Sequence, residues 1–193
     1  MMSCEELLCP TRLWARSEVL SLPSSIPKSA GIYGWFFSHL NCVPTSNCVA
    51  CGEFRLLYIG ISPSAPPMNG RGPSSQSLYH RVRYHMQGNA EGSTLRLSLG
   101  CLLADELGIE LRRVGSGTRM TFSTGEQLLS EWLRKNARVV WKACEGPWKL
   151  EEELIGAVDL PLNLQQNSRN VFFPALTELR RAAKARARFL SIV

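Results

Sequence analysis

The chain has 193 residues, of which 45% are hydrophobic and 20% charged, an ordinary globular composition that supports one sizeable core and excludes wholesale disorder. It carries 22 Lys and Arg against 16 Asp and Glu, a net charge of +6, which favours a polyanionic partner. No run of about 18 apolar residues occurs, and residues 1–10 hold two acids and no basic stretch before an apolar core. Neither a membrane span nor a signal peptide is therefore expected, and the chain reads as cytoplasmic. Seven cysteines, an odd number with no secretory signal, point to reduced thiols rather than a disulfide framework.

In chain order, a short helix is expected around residues 5–19, followed by a Ser/Pro stretch over 22–29. Residues 31–37 (GIYGWFF) read as a strand, being aromatic and β-branched. A polar, Cys-bearing loop over 39–52 leads to a second strand over 54–61 (FRLLYIGI), completing a long-looped antiparallel hairpin. Residues 62–75, rich in Pro, Gly and Ser, are a loop. The spacing of Leu78, Val82 and Met86 predicts a helix over 76–87. A second helix is expected over 94–107, closed by Gly108. Short strands over 109–114 and 119–122 flank a turn at 115–117, and a helix follows over 125–135. Residues 138–143 (RVVWKA) read as a strand, 147–158 as a helix with Pro in its first turn, and 160–170 as a loop. A basic helix is expected over 174–190, with an apolar line at Leu176, Leu179, Ala183, Ala187 and Leu190. The fold class is α+β, a small antiparallel β-sheet flanked by helices.

Certain residues carry potential chemistry. Glu151 shares its helix line with Leu154, Ile155 and Val158, so a carboxylate turns toward the core. Such a group needs an Arg, a hydrogen-bond network or a metal ion. Arg81 and His85 lie four apart on one helix face, and an Arg fixed beside a His suits a phosphate. The two expected strands add Tyr33 and Tyr58. No His-Glu-x-x-His, Walker or Gly-x-Ser-x-Gly motif is present.

This ordered set resembles the GIY-YIG nuclease family. Gly31-Ile32-Tyr33 and Tyr58-Ile59-Gly60 match the two signatures literally, and Arg81 and His85 match the family's Arg-x-x-x-His. Glu151, with Leu154 and Ile155, matches the metal-binding glutamate, and Asn163 matches the closing asparagine. The tyrosines stand 25 residues apart where about ten is usual, and residues 89–137 look enlarged, both in the manner of restriction-endonuclease-like members. The organisation expected is an N-terminal extension over 1–29, a nuclease-like domain over 30–170 with insertions at 38–53 and 89–137, and a basic C-terminal helix over 171–193.

The resemblance implies hydrolysis of DNA phosphodiesters with one divalent metal, Mg2+ or Mn2+, held by Glu151 with phosphate and water. Arg81 would clamp the scissile phosphate. Tyr33, helped by His85 or a water, would deprotonate or orient the attacking water. Tyr58 would orient the nucleophile or bond a phosphate oxygen, and Asn163 would hold the site together.

Contacts to the substrate, duplex DNA by expectation, are assigned to Arg71, Arg83, Arg180, Arg181, Lys184 and Arg188. Five basic residues and one acid occupy 174–193, and Arg180, Lys184 and Arg188 form one stripe. His39, Cys42, Cys48 and Cys51 could build a tetrahedral zinc site. Their spacing matches no specific zinc pattern, so free thiols are the expectation. The first reading is an endonuclease in restriction, defence or repair, dimeric if it cuts both strands of a symmetric site. The rival is a nucleic-acid-binding module without catalysis, or a nuclease-like subunit of a larger complex.

Overall fold

The computed structural model describes residues 5–66 and 74–193. The elements run α1 (Glu5–Leu8), α2 (Arg16–Leu20), β1 (Gly31–Phe37), β2 (Ala50–Cys51), β3 (Phe54–Ser62), α3 (Leu78–Gln87) and α4 (Thr94–Leu102). They continue through α5 (Ala104–Leu107), β4 (Arg112–Val114), β5 (Arg119–Thr121), α6 (Gly125–Asn136), β6 (Ala137–Ala143), α7 (Trp148–Ala157) and α8 (Phe173–Phe189). The fold is α+β. An antiparallel sheet of order β2-β3-β1-β6 is flanked by helices, and β4 and β5 form a separate ribbon.

β1 is central and buried along its whole length, as its unbroken aromatic and β-branched sequence requires. Its alternating side chains serve two cores. Tyr33, Trp35 and Phe37 enter the larger one, beneath α3, α4 and α6. Ile32 and Phe36 enter the smaller one, with Leu150, Leu154 and Ile155 of α7.

The register of β3 against β1 slips once. Trp35 faces Tyr58 and Phe36 faces Leu56, so Leu57 is the extra residue of a β-bulge. The bulge turns Leu57 and Tyr58 to the same side, the face that carries Tyr33. It also frees the Leu57 carbonyl, which accepts the amide of Leu162 at 3.0 Å.

Glycine at 31 and 60 has a steric reason. A Cβ on Gly31 would stand 2.2 Å from the Lys142 carbonyl oxygen of β6. A Cβ on Gly60, the cross-strand partner of Tyr33, would stand 2.6 Å from the Tyr33 hydroxyl. The tyrosine ring occupies the space the missing side chain leaves.

Two expected helices are divided. The region 5–19 breaks at Pro10, which cannot continue a helix. The chain then extends, and Trp14 exchanges two backbone hydrogen bonds of 2.9 and 3.0 Å with Val139. This covers the outer edge of β6, and Trp14 stacks on Trp141 at 5.0 Å. The region 94–107 breaks at Leu103, a buried residue outside helical geometry, while Gly108 takes the left-handed conformation expected at a helix end. On α8, Leu176 and Ala187 are buried but Leu179 is exposed, so the apolar line docks only in part.

Behind the sheet lies a buried ion pair. Arg96 of α4 has no exposed surface and bonds Glu126 of α6 at 2.7 Å. It also donates to the carbonyls of His85 at 3.3 Å and Glu126 at 2.8 Å. Glu126 in turn accepts the amides of Ala90 at 2.8 Å and Phe122 at 3.1 Å. Every charge is met, which is the condition under which a buried pair is tolerated. Glu126→Ala, which strands the Arg96 charge, is expected to cost about 3–5 kcal/mol in denaturant unfolding. The double change Arg96→Met with Glu126→Leu is expected to recover most of that loss.

Candidate active site

The open edge of β3 is where the site forms. Beyond its short pairing with β2, β3 has no strand neighbour on that side among the described residues. Asn163 takes the neighbour's place. Its amide oxygen accepts from the Ile59 N–H at 2.9 Å and its amide nitrogen donates to the Ile59 carbonyl at 2.8 Å. Asn163 is buried and fully engaged, so it positions β3 and the loop after α7.

A cleft opens beside this edge, lined by Tyr33, Tyr58, Arg81, Lys149 and Glu151. These residues come from both faces of the sheet. Tyr33 and Tyr58 lie on the α3 side, whereas Glu151 belongs to α7 on the other. The start of α7 is pinned by a 3.2 Å bond from the Trp148 indole N–H to the Pro63 carbonyl, just past the end of β3.

The back wall is a line of hydrogen bonds. His85 is fully buried among Tyr33, Trp35 and Tyr58. Its Nε2 lies 2.9 Å from the Tyr33 hydroxyl and its Nδ1 2.7 Å from Ser93 Oγ. Burial, reinforced by the nearby Arg81 and Arg96 charges, holds its pKa well below the usual histidine value, so the ring is neutral. The neutral ring offers one donor and one acceptor, divided between the Tyr33 hydroxyl and Ser93 Oγ. The Arg81 charge lies near the Tyr33 oxygen and favours negative character there. Ser93 also caps α4 by accepting the Arg96 amide at 3.0 Å.

Burial raises the pKa of Tyr33 and, with it, that of Tyr58. Both are phenols at neutral pH. Tyr58 lies 3.5 Å from the Thr94 hydroxyl and faces the cleft. Arg81 spends one nitrogen on the Gly92 carbonyl at 2.7 Å, and the rest of its fork turns to the cleft.

Glu151 differs from its neighbours. No described residue donates a hydrogen bond to its carboxylate or forms an ion pair with it. Burial alone pushes its pKa up to about 7. A half-buried carboxylate without a partner among the described residues, in a cleft that also holds Arg81 and Lys149, has the chemistry of a hard-cation ligand. Among the described residues no group of three or more His, Cys, Asp or Glu is placed to hold a metal ion. An ion here would be shared between Glu151, substrate oxygens and water.

The remaining expected residues divide. Arg180 of α8 reaches the cleft beside Tyr58 and Glu151, steadied by a 3.3 Å bond to Ser98. Arg181 is forked onto Glu178 at 2.6 and 2.7 Å on the exposed side of the same helix. Lys184 is half-buried and Arg188 exposed, farther along α8. Arg83 does not line the cleft. It donates to the Val19 carbonyl at 2.8 Å and lies over Tyr79, so its role is to hold α2. Arg71 lies outside the described residues.

The four zinc candidates are not brought together. Cys42 and His39 are exposed, Cys48 is buried against the Pro44 carbonyl, and Cys51 turns to Pro10. Burial pushes the Cys48 thiol up to about 12, so it stays protonated. Sequence reasoning missed Ser93, Thr94, Lys149 and the Arg96–Glu126 pair. The Ser93 cap was the one readable signal, since a serine directly before a helix is a standard N-cap.

The family model for the GIY-YIG catalytic domain matches residues 31–184, so most of the chain belongs to it, and the protein is a member of the GIY-YIG nuclease family. No curated protein and no solved structure gives a significant match. The match extends into α8, the helix that delivers Arg180.

Two outcomes test this geometry. Gly60→Ala is expected to push the Tyr33 ring off His85 and to lower activity at least tenfold, with the far-UV circular dichroism unchanged. Glu151→Gln tests the strained carboxylate. Below about pH 4.5 the acid is neutral in both folded and unfolded chains, so it costs nothing. As pH rises toward 7 the unfolded chain ionises first and the folded state loses ground. The variant is expected to match wild type in Tm at pH 4. At pH 8 it should exceed it by a few degrees, on the order of 1–2 kcal/mol once solvent access is discounted.

Proposed function

We propose that the protein is a divalent-metal-dependent endonuclease that hydrolyses DNA phosphodiester bonds in the cleft at the β3 edge. One observation carries the reading: the unpartnered Glu151 carboxylate shares a cleft with Arg81 and with Tyr33, whose hydroxyl is held by His85. A purely structural role leaves that carboxylate unexplained, because burying it without a partner destabilises the fold.

The chain's own residues divide the work. Arg81 grips the scissile phosphate through the donors not spent on Gly92 and stabilises the charge that develops there. Tyr33, its hydroxyl held by His85, accepts a hydrogen bond from the attacking water. That bond orients the water for in-line attack, and the water's proton leaves to a phosphate oxygen or to solvent as the bond to phosphorus forms. His85 touches no substrate and is a positioning residue. Tyr58 bonds a phosphate oxygen or the water from the other side of the cleft. A Mg2+ or Mn2+ ion held on Glu151 would supply neutralisation of the leaving oxygen. Lys149 and Arg180 flank the site with positive charge for the neighbouring phosphates.

Nicking of supercoiled plasmid, with single-stranded and branched DNA alongside, tests the reading. Wild type is expected to cut with Mg2+ and not with EDTA. Glu151→Ala and Arg81→Ala are each expected to lose at least a hundredfold in rate while still binding DNA. Below pH 7 a proton competes for Glu151, so the rate at sub-saturating Mg2+ is expected to climb nearly tenfold per pH unit and level off above 7. Binding without cutting on every substrate, in Mg2+ and in Mn2+, would instead favour a binding module that has lost catalysis.

A further inference from the structure

The cleft has a second chamber. A cavity of ≈ 250 Å³ adjoins the first and shares Tyr58, Thr94, Glu151, Gln165 and Gln166 with it. Its volume equals roughly eight waters at about 30 Å³ each, room for one ring system but not for a base pair. Its lining combines the apolar side chains of Ile155, Leu162 and Leu164 with two amides and a guanidinium, Gln165, Gln166 and Arg180.

The construction suits one kind of occupant. Apolar side chains take the face of a heterocycle, and glutamine amides take its edge, as in bidentate recognition of a purine. The Arg180 guanidinium, with one of its donors on Ser98, is free to meet the phosphate of the same nucleotide. Gln166 is held at a φ of 59°, in the left-handed region that a side chain rarely adopts. That backbone strain keeps an amide at the shared rim of the two chambers. Glycine there would be relaxed, yet the chain spends a glutamine.

We propose that this chamber receives the unpaired base of a nucleotide adjoining the scissile phosphate, lodged among the Ile155, Leu162 and Leu164 side chains and the Gln165 and Gln166 amides. The inference rests on the nuclease reading for the neighbouring chamber. It adds that the substrate presents an unstacked base there, as single-stranded or branched DNA does and a continuous duplex does not without base flipping.

The test is an abasic scan read by binding, so that it survives failure of the nuclease reading. Single-stranded oligonucleotides of one sequence, each with a single abasic position, are titrated against wild type in Ca2+ in place of Mg2+. The same set is then cut in Mg2+ to locate the scissile bond. Wild type is expected to lose at least fivefold in affinity at one position, that position lying next to the cleavage site. A 2-aminopurine placed there is expected to change its fluorescence on binding. Gln166→Gly is expected to abolish the positional effect while its Tm stays equal to or above wild type, since glycine suits that φ. Equal affinity at every abasic position would overturn the proposal. A positional effect that persists unchanged in Gln166→Gly and in Ile155→Ala would overturn its assignment to this chamber. Should no cutting occur while the positional effect appears, the nuclease reading fails and the base site stands.

Discussion

His85 lies with both ring nitrogens engaged and no surface exposed, in a setting where a positive imidazolium would face Arg81 and Arg96 with no counter-charge. It must therefore stay neutral, and a neutral ring offers one donor and one acceptor. That requirement propagates. One nitrogen fixes the Tyr33 hydroxyl, and the other needs Ser93 at its place before α4. Ser93 is placed by the α4 cap, and α4 by the Arg96–Glu126 pair that also receives the end of α3 and the start of α6. The segment between α3 and β6 thus supplies the rear support of the cleft. A fault in the buried ion pair between α4 and α6 would reach the chemistry through three hydrogen bonds.

The cleft stores free energy in the opposite sense at Glu151. The fold satisfies Arg96, Asn163 and His85 completely, yet leaves one carboxylate half-buried and without a partner among the described residues. Local instability at a functional position is what a site awaiting a cation requires, since the bound ion then returns what the empty fold gives up. The same contrast separates the two asparagine-and-glutamine clusters near the site. Asn163 has every polar atom used and behaves as a piece of β-strand, whereas Gln165 and Gln166 are exposed at the rim and free to bind.

Legibility followed locality. The strand over 31–37 appears with its bounds unchanged, because seven consecutive aromatic and β-branched or glycine residues admit little else. The two signature glycines could be recognised in the sequence as a motif, but their reason lies in cross-strand distances to Lys142 and Tyr33 that no local pattern contains. The division of the 94–107 helix at Leu103 had no Pro or Gly to announce it, and only burial of Leu103 accounts for it. Pro10 did announce the break in 5–19. Arg83 and Arg81, two apart on one helix, could not be told apart by charge, yet their opposite directions give one a carbonyl of α2 and the other the cleft. The cysteine loop shows the converse: four ligand-type residues close in sequence whose side chains diverge once β2 and its turn form.

The central claim is that Glu151 holds a divalent ion against a DNA phosphate, and anomalous diffraction tests it most directly. Crystals of the protein with a non-hydrolysable oligonucleotide would be grown in Mn2+ and measured at the manganese edge. The account predicts an anomalous peak within about 2–2.3 Å of a Glu151 carboxylate oxygen, in contact with a phosphate that Arg81 also touches. A manganese peak elsewhere in the cleft with Glu151 unligated, or DNA seated there with no peak at Glu151, would contradict it.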